Sequence, residues 1–144
     1  MSEVVFHFNA ADKRHHVCRL LRKAYLQGAR LLVVVEPPEL DALDAALWTL
    51  GGRDFIPHAR LNAAPGLRTH SPILLTSEWP APVSQPKDWV LVNLSQTFLS
   101  GFEGFFRVIE VVSQDLADRT GARERWRRYR SLGLEPTHHD FATA

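Results

Sequence analysis

The fold of this 144-residue chain is decided by the stretch Gly28-Ala-Arg-Leu-Leu-Val-Val-Val35. Its last five residues form a continuous apolar run without alternation, which is typical of a strand buried on both faces of a parallel sheet. Gly28 ends a preceding segment, residues 15–27, whose apolar side chains recur at helical spacing. Another apolar strand, Val4–Phe8, comes before that helix. Strand, helix and buried strand form a βαβ unit, which predicts an α/β fold.

Helices and strands continue to alternate along the rest of the chain. Residues 39–50 and 115–132 have helical patterns, and we expect Asp115 to cap the second helix. The short apolar runs at 73–76 and 89–93 predict two further strands.

Residues 108–112 could form a strand or the end of a helix. The i, i+4, i+7 spacing of Phe105, Ile109 and Val112 favours a helix. The whole pattern predicts a single α/β domain over residues 1–135, with a mainly parallel central sheet flanked by helices. Residues 136–144 are predicted to form a mostly polar C-terminal tail.

Composition and charge narrow the class of protein. The net charge is +1 and 45% of the residues are hydrophobic, as in ordinary globular proteins. The single cysteine, Cys18, allows no internal disulfide, and its apolar-patterned helix indicates a small buried hydrophobe instead of a reactive thiol. The sequence has no recognisable signal peptide and no apolar run of about 20 residues. We therefore expect a cytoplasmic protein.

The sequence lacks the familiar signatures of enzymes and metalloproteins. The turn after Phe8 has no glycines, and no phosphate-loop pattern occurs anywhere in the chain. The adjacent pairs His15-His16 and His138-His139 point to different sides of an element, so neither pair favours a shared metal. We predict no catalytic activity, cofactor or metal. A small α/β enzyme with a convergent polar pocket is the alternative from that class.

A concentrated positive charge lies in Arg119-Thr-Gly-Ala-Arg-Glu-Arg-Trp-Arg-Arg-Tyr-Arg130, which has six arginines and one acid. At about 100° per residue, a helix places Arg119, Arg123, Trp126 and Arg130 on one narrow face. A solvated charged face usually carries acidic partners at i±4, and these are nearly missing here. Arginines interleaved with Trp126 and Tyr129 suit either phosphates with stacked bases or an acidic peptide with an aromatic residue.

A second surface is predicted around Trp48, at the margin of its helix's apolar stripe, and around the short segment Phe55-Ile-Pro-His58. Large apolar groups at margins and in loops are candidate anchors for a partner protein. The alternative is that they cover the edge of the sheet.

Three segments together resemble the chi subunit family of bacterial DNA polymerase III holoenzyme. They are Leu40-Asp-x-Leu-Asp-x-Ala-Leu-Trp48, Phe55-Ile-Pro-His58 and Ala122-Arg-Glu-Arg-Trp-Arg-Arg-Tyr-Arg130, in the same order and over nearly the whole chain. The resemblance implies a non-catalytic, clamp-loader-associated subunit. It also implies a fold with mononucleotide-binding-like topology and no phosphate loop.

The resemblance implies two protein partners. One is the acidic, phenylalanine-ended C-terminal tail of single-stranded DNA-binding protein (SSB), which would contact Val112, Arg119, Arg123, Trp126 and Arg130. Val112 and Trp126 would flank the terminal phenylalanine, and Arg123 would meet its carboxylate. The other is the psi subunit of the clamp loader, which would contact Trp48, Phe55, Ile56, Pro57 and His58. DNA would be reached indirectly, through SSB.

The sequence departs from the family at two of these positions and at Gly121. Tyrosine is more usual at Trp126 and lysine is common at Arg119, and both changes keep the chemistry. Gly121 replaces an apolar, helix-favouring residue and weakens the start of the last helix. The alternative function is direct binding of single-stranded nucleic acid by the same arginine-rich helix. The pI of about 8.0 is low for such a protein.

Overall fold

The apolar run that decides the fold forms strand β2, Leu31–Val34, in which every residue is buried. The computed structural model describes residues 2–49, 57–61, 71–81, 83 and 85–141. The other strands are β1 (Glu3–Ala10), β3 (His58–Arg60), β4 (Ile73–Thr76), β5 (Val90–Asn93), β6 (Arg107–Ser113) and β7 (Thr137–Asp140). The helices in these ranges are α1 (Lys13–Leu26), α2 (Pro37–Thr49) and α3 (Leu116–Ser131).

The described strands form one sheet in the order β3-β4-β2-β5-β6-β1-β7, and each neighbouring pair is parallel. This confirms the predicted α/β class with a parallel central sheet. β1 and β2 lie in the same sheet, as the βαβ pattern predicted, but β6 and β5 stand between them. β5 and β6, from the second half of the chain, therefore separate β2 from β1 in the sheet.

The sheet is covered on both faces, which is why its interior strands are mostly apolar. On one face, Val17 and Leu21 of α1 and Leu43 and Leu47 of α2 pack in one apolar cluster with Val33. On the other face, α3 and the aromatic segment at residues 98–105 pack in a second cluster. α3 lies on this face beside β6 and β1.

The ends of the two longest helices follow the sequence pattern. The Asp12 side chain accepts a hydrogen bond from the backbone N–H of His15 (3.0 Å), which caps α1. Asp115 caps α3 in the same way, through the N–H of Asp118 (3.3 Å), as predicted. Gly28 and Gly133 follow these helices with φ of 83° and 88°, which glycine adopts without strain.

Two segments differ from the sequence-based expectations. Residues 108–112 form part of strand β6, so the preference for a helix there was wrong. The spacing that misled it combines Phe105, which precedes the strand, with Ile109 and Val112, which lie within it. Part of the expected polar tail, Thr137–Asp140, is strand β7, which pairs with β1 while its side chains remain exposed. An edge strand of that kind shows little apolar pattern.

Cys18 is fully buried, as predicted, and its burial raises the pKa of the thiol to about 11. Among the helices in the described residues, none is long and apolar enough to cross a membrane.

Candidate functional site

The inward face of α3 contains two residues of the arginine-rich stretch. Arg125 is 3% exposed and Tyr129 is fully buried. The Arg125 Nε donates to Glu110 Oε1 (3.0 Å), and the Tyr129 hydroxyl donates to Glu110 Oε2 (2.8 Å). Asn93 Nδ2 also donates to Glu110 Oε1 (3.1 Å). One buried carboxylate on β6 thus binds α3 and β5 together.

The hydrogen-bond network around Glu110 lies in the core, where burial disfavours charged groups. Burial raises the pKa of Glu110, and the charge of Arg125 and the hydrogen bonds from Tyr129 and Asn93 oppose that rise. Burial also raises the pKa of Tyr129, and Glu110 adds to the effect, so the phenol stays protonated and donates. Because buried charges need partners, the network fixes the position of α3 on the sheet.

Gly121, the expected weak point of this helix, lies inside α3. A side chain at Gly121 would collide with the side chain of Gln96. Gln96 Nε2 in turn donates to Asp118 Oδ1 (2.7 Å), in the first turn of α3. Gly121 therefore gives up some helix propensity so that Gln96 can reach the helix start.

The outward face of α3 forms one side of a cavity of ≈ 450 Å³. We call it the arginine cavity, and its lining residues are Phe8, Asn9, Arg119, Arg123, Trp126, Arg127, His138 and Asp140. α3 supplies four of them, β1 supplies Phe8 and Asn9, and β7 supplies His138 and Asp140. The cavity thus lies where α3 packs over the last two strands of the sheet.

Aromatic rings form one part of the arginine cavity. The Trp126 ring centroid lies 5.0 Å from that of Phe6, 6.1 Å from that of Phe8 and 5.8 Å from that of His138. Phe6 is fully buried, so it supports the indole from below. Trp126 itself is half-buried and keeps part of its ring available to a ligand.

Positive charge forms the other part. Arg119, Arg123 and Arg127 recur at i, i+4 and i+8 on α3, and all three are exposed. Within the ranges that the structure describes, no ion pair joins any of them to an acid. Guanidinium groups bind carboxylates through two parallel hydrogen bonds. The arginine cavity can therefore bind an anionic ligand that also has an apolar group.

Three of the five residues predicted for the tail site line the arginine cavity: Arg119, Arg123 and Trp126. Val112 does not, because it belongs to the interior strand β6 and is fully buried beneath α3. Arg130 is exposed on α3 but lies outside the lining.

Sequence reasoning missed Arg127 and the four lining residues from β1 and β7. Arg127 follows from Arg119 and Arg123 by the same four-residue step, so the sequence did contain a signal for it. The strand residues had none, because only the sheet order brings residues 8–9 and 138–140 beside α3.

The second predicted surface lies at the opposite edge of the sheet, near β3. Trp48 is 60% exposed, and its ring meets that of His58 edge-on, with 5.1 Å between centroids. His58 is buried, and its Nε2 lies 2.9 Å from Asp44 Oδ1. Pro57 is half-buried, whereas Phe55 and Ile56 lie outside the described residues. We call Trp48, Pro57 and His58 the Trp48 surface.

A larger cleft of ≈ 560 Å³ lies at the carboxyl ends of β1, β2, β5 and β6, where open α/β sheets commonly bind nucleotides. Here the protein's own Asp118 uses the available donors: the backbone N–H of Ser113 (2.8 Å), Lys13 Nζ (3.0 Å) and Gln96 Nε2 (2.7 Å). Burial acts to raise the pKa of Asp118, but the hydrogen bonds from Ser113 and Lys13 and the charge of Lys13 outweigh it, and the pKa lies below its usual value.

Metal-binding geometry is absent from the described part of the chain, where no group of three or more His, Cys, Asp or Glu side chains could hold an ion.

Comparison with solved structures finds the C-terminal domain of the DEAD-box protein Dbp5. Its TM-score is 0.58 at 15% identity, covering 96% of this chain and 89% of that one. A likeness at this identity shows the fold alone.

Sequence comparisons are more specific. DNA polymerase III subunit chi of Pseudomonas aeruginosa is 31% identical over 123 residues, covering 85% of this chain and 82% of that protein. The subunit of the same name from Escherichia coli is 29% identical over 119 residues, covering 82% and 78%. A family profile described as "DNA polymerase III chi subunit, HolC" matches residues 1–137. The chain therefore belongs to the DNA polymerase III chi subunit family.

Proposed function

We propose that this protein is a non-catalytic accessory subunit of the replicative polymerase that binds the acidic C-terminal tail of SSB in the arginine cavity. The observation that carries this proposal is the row Arg119, Arg123 and Arg127 beside the half-buried ring of Trp126. The row offers three guanidinium groups to carboxylates, and the indole offers a face to a phenylalanine. An acidic peptide with an aromatic end uses both.

The packing beneath α3 supports a preformed site. Arg125 and Tyr129 bind Glu110 from the inward face of the helix, so the outward arginines are held at a fixed height above β1 and β7. A rigid helix loses less entropy when a ligand binds than a loop would. Arg123, in the middle of the row, is the best placed to meet the terminal carboxylate.

The Trp48 surface is proposed as the site of the psi subunit, which would link this protein to the clamp loader. An exposed tryptophan is a typical anchor of a protein interface. The 2.9 Å contact between His58 Nε2 and Asp44 Oδ1 positions the imidazole against the indole ring. The two surfaces lie at opposite edges of the sheet, so both partners could be bound at once.

Calorimetric titration with an acidic, phenylalanine-ended peptide tests the proposal. The control peptide has the same composition with the phenylalanine moved away from the C-terminus. We expect the first peptide to bind, more weakly as salt rises, and the control to bind much less. Equal binding of both would show general charge attraction only.

A parallel titration with a single-stranded oligonucleotide separates the rival function. Tight DNA binding with a steep salt dependence, in the absence of SSB, would replace the peptide proposal with direct binding of nucleic acid.

A further inference from the structure

The second wall of the arginine cavity is made by β7. β7 runs parallel to β1 with Phe6 opposite His138 and Phe8 opposite Asp140. Paired residues of a parallel sheet point to the same face, so His138 and Asp140 face α3. Ring centroids of Phe8 and His138 lie 6.0 Å apart, in agreement with that arrangement.

Asp140 contributes the only carboxylate among the residues that line the arginine cavity in the described part of the chain. Its Oδ1 accepts a hydrogen bond from Asn9 Nδ2 at 2.9 Å. Asn9 has a φ of 63°, a left-handed conformation that asparagine tolerates better than most residues. The register of β1 against β6 also shifts between His7 and Ala10, so Asn9 lies at an irregularity of the strand.

The two sides of the arginine cavity thus carry opposite charges. Three arginines line the α3 side, and a carboxylate held by an asparagine lines the β7 side. A ligand carboxylate is attracted to the first and repelled by the second. The rings of Trp126, Phe8 and His138 contact one another across the cavity lining.

We propose that Asp140 is a specificity-determining residue, which keeps anionic groups away from the β7 side and directs a ligand's acids to Arg119, Arg123 and Arg127. This inference rests on the proposed function, because it assumes that the arginine cavity binds an acidic peptide. The ligand class it selects is a peptide whose acids lie along one side only, with neutral groups against β7. A uniformly anionic polymer fits such a cavity less well.

The test is calorimetry with the acidic, phenylalanine-ended peptide and the variant Asp140→Asn. Asparagine has the same shape and can still accept the hydrogen bond from Asn9, so the fold is retained. We expect binding to tighten by about two- to fivefold, the range of an exposed charge interaction. The gain should disappear at about 1 M salt, where charges are screened within about 3 Å.

Glu124→Gln is the matched control. Glu124 is an exposed carboxylate on α3 that does not line the arginine cavity, and the substitution changes the net charge by the same amount. If Asp140→Asn gains no more affinity than Glu124→Gln, or loses affinity, the role of Asp140 is overturned while the peptide site stands. If the unmodified protein does not bind the peptide, the proposed function itself fails.

Discussion

The guanidinium group of Arg125 and the carboxylate of Glu110 form a 3.0 Å ion pair in which both side chains are almost completely buried. One of the six arginines of the basic stretch is therefore a structural residue, buried in the core. The pair connects the middle of α3 to the interior strand β6. α3 therefore contributes residues both to the arginine cavity and to the buried core.

Removal of Arg125 should destabilise the whole domain. Arg125→Ala leaves the buried Glu110 without its ion-pair partner in the core, and we expect a loss of about 3–5 kcal/mol in the free energy of unfolding. Urea unfolding measures it. The double variant Glu110→Gln/Arg125→Met should lose less, because no buried charge is left unpaired. A loss below about 1 kcal/mol for Arg125→Ala would show that the pair does not anchor α3.

Removal of Arg123 should weaken peptide binding without affecting the fold. Its side chain is exposed, and it lies in the middle of the arginine row. Arg123→Ala should reduce the affinity for an acidic, phenylalanine-ended peptide by more than about 1.5 kcal/mol, as for a charged hydrogen-bonded pair. Arg19→Ala, an exposed arginine on α1, removes the same charge as a control. Unchanged affinity for Arg123→Ala in calorimetry would mean that the peptide binds elsewhere.

Arg127 and Arg130 distinguish the structure from the sequence-based assignment. Arg127 lines the arginine cavity, and Arg130 does not. We expect Arg127→Ala to weaken peptide binding by about 1 kcal/mol or more, and Arg130→Ala to change it by a few tenths. Both variants have the same net charge and lie on the same helix, so each serves as the control for the other. The reverse order of effects would support the prediction made from the sequence.

Truncation of Trp48 should abolish or strongly weaken psi binding and leave peptide binding intact. The side chain is 60% exposed, so Trp48→Ala should cost little stability. Leu26→Ala removes a similarly exposed apolar group from the end of α1 and serves as the control. Co-purification with psi gives the first measurement and calorimetry the second. Loss of both activities would indicate misfolding.

Acidification should destabilise the domain through a histidine cluster on the face of β7 opposite the arginine cavity. His7 Nδ1 lies 3.0 Å from His16 Nε2, and the His7 ring also contacts His139 and Phe141. Burial, with the charges of His16 and His139, lowers the pKa of His7 to about 4. Burial also lowers the pKa of His16, and Arg19 and His15 add to that effect.

The direction of this pH dependence is set by the unfolded chain, which binds protons at a higher pH than folded His7 does. The unfolded chain takes up protons at the ordinary imidazole pKa of about 6.5, whereas folded His7 resists them down to about pH 4. The free energy of unfolding should therefore be highest above pH 6.5 and fall between pH 6.5 and 4. Urea unfolding at pH 7 and pH 5 measures the slope. His7→Phe should flatten it, and an unchanged slope would exclude His7 as the cause.

Much of the architecture could be predicted because burial leaves a clear pattern. The apolar runs of β2, β4 and β5 and the capped, glycine-ended helix α3 were all recognisable. β6 was not, because an acid in its middle, Glu110, interrupts the apolar run, and only its partners across the sheet explain that acid.

Only the α3 side of the arginine cavity could be predicted in part from the sequence. Helical geometry showed which arginines share a face, but it could not show which residues of α3 face the core. The buried carboxylate of Glu110 holds Arg125 inside, although an arginine is usually exposed. The β1 and β7 side of the cavity depends on a strand order that no local pattern encodes.

The place of β1 in the sheet has a consequence for synthesis on the ribosome. In the described part of the chain, β1 pairs with β6 and β7 alone. Residues 3–10 can therefore pair only after residues 107–113 or 137–140 have been synthesised. Contacts so distant in sequence slow folding, because a long loop must close before they form. β1 therefore leaves the ribosome well before its partner strands. The nascent chain carries an unpaired apolar strand until β6 has been translated.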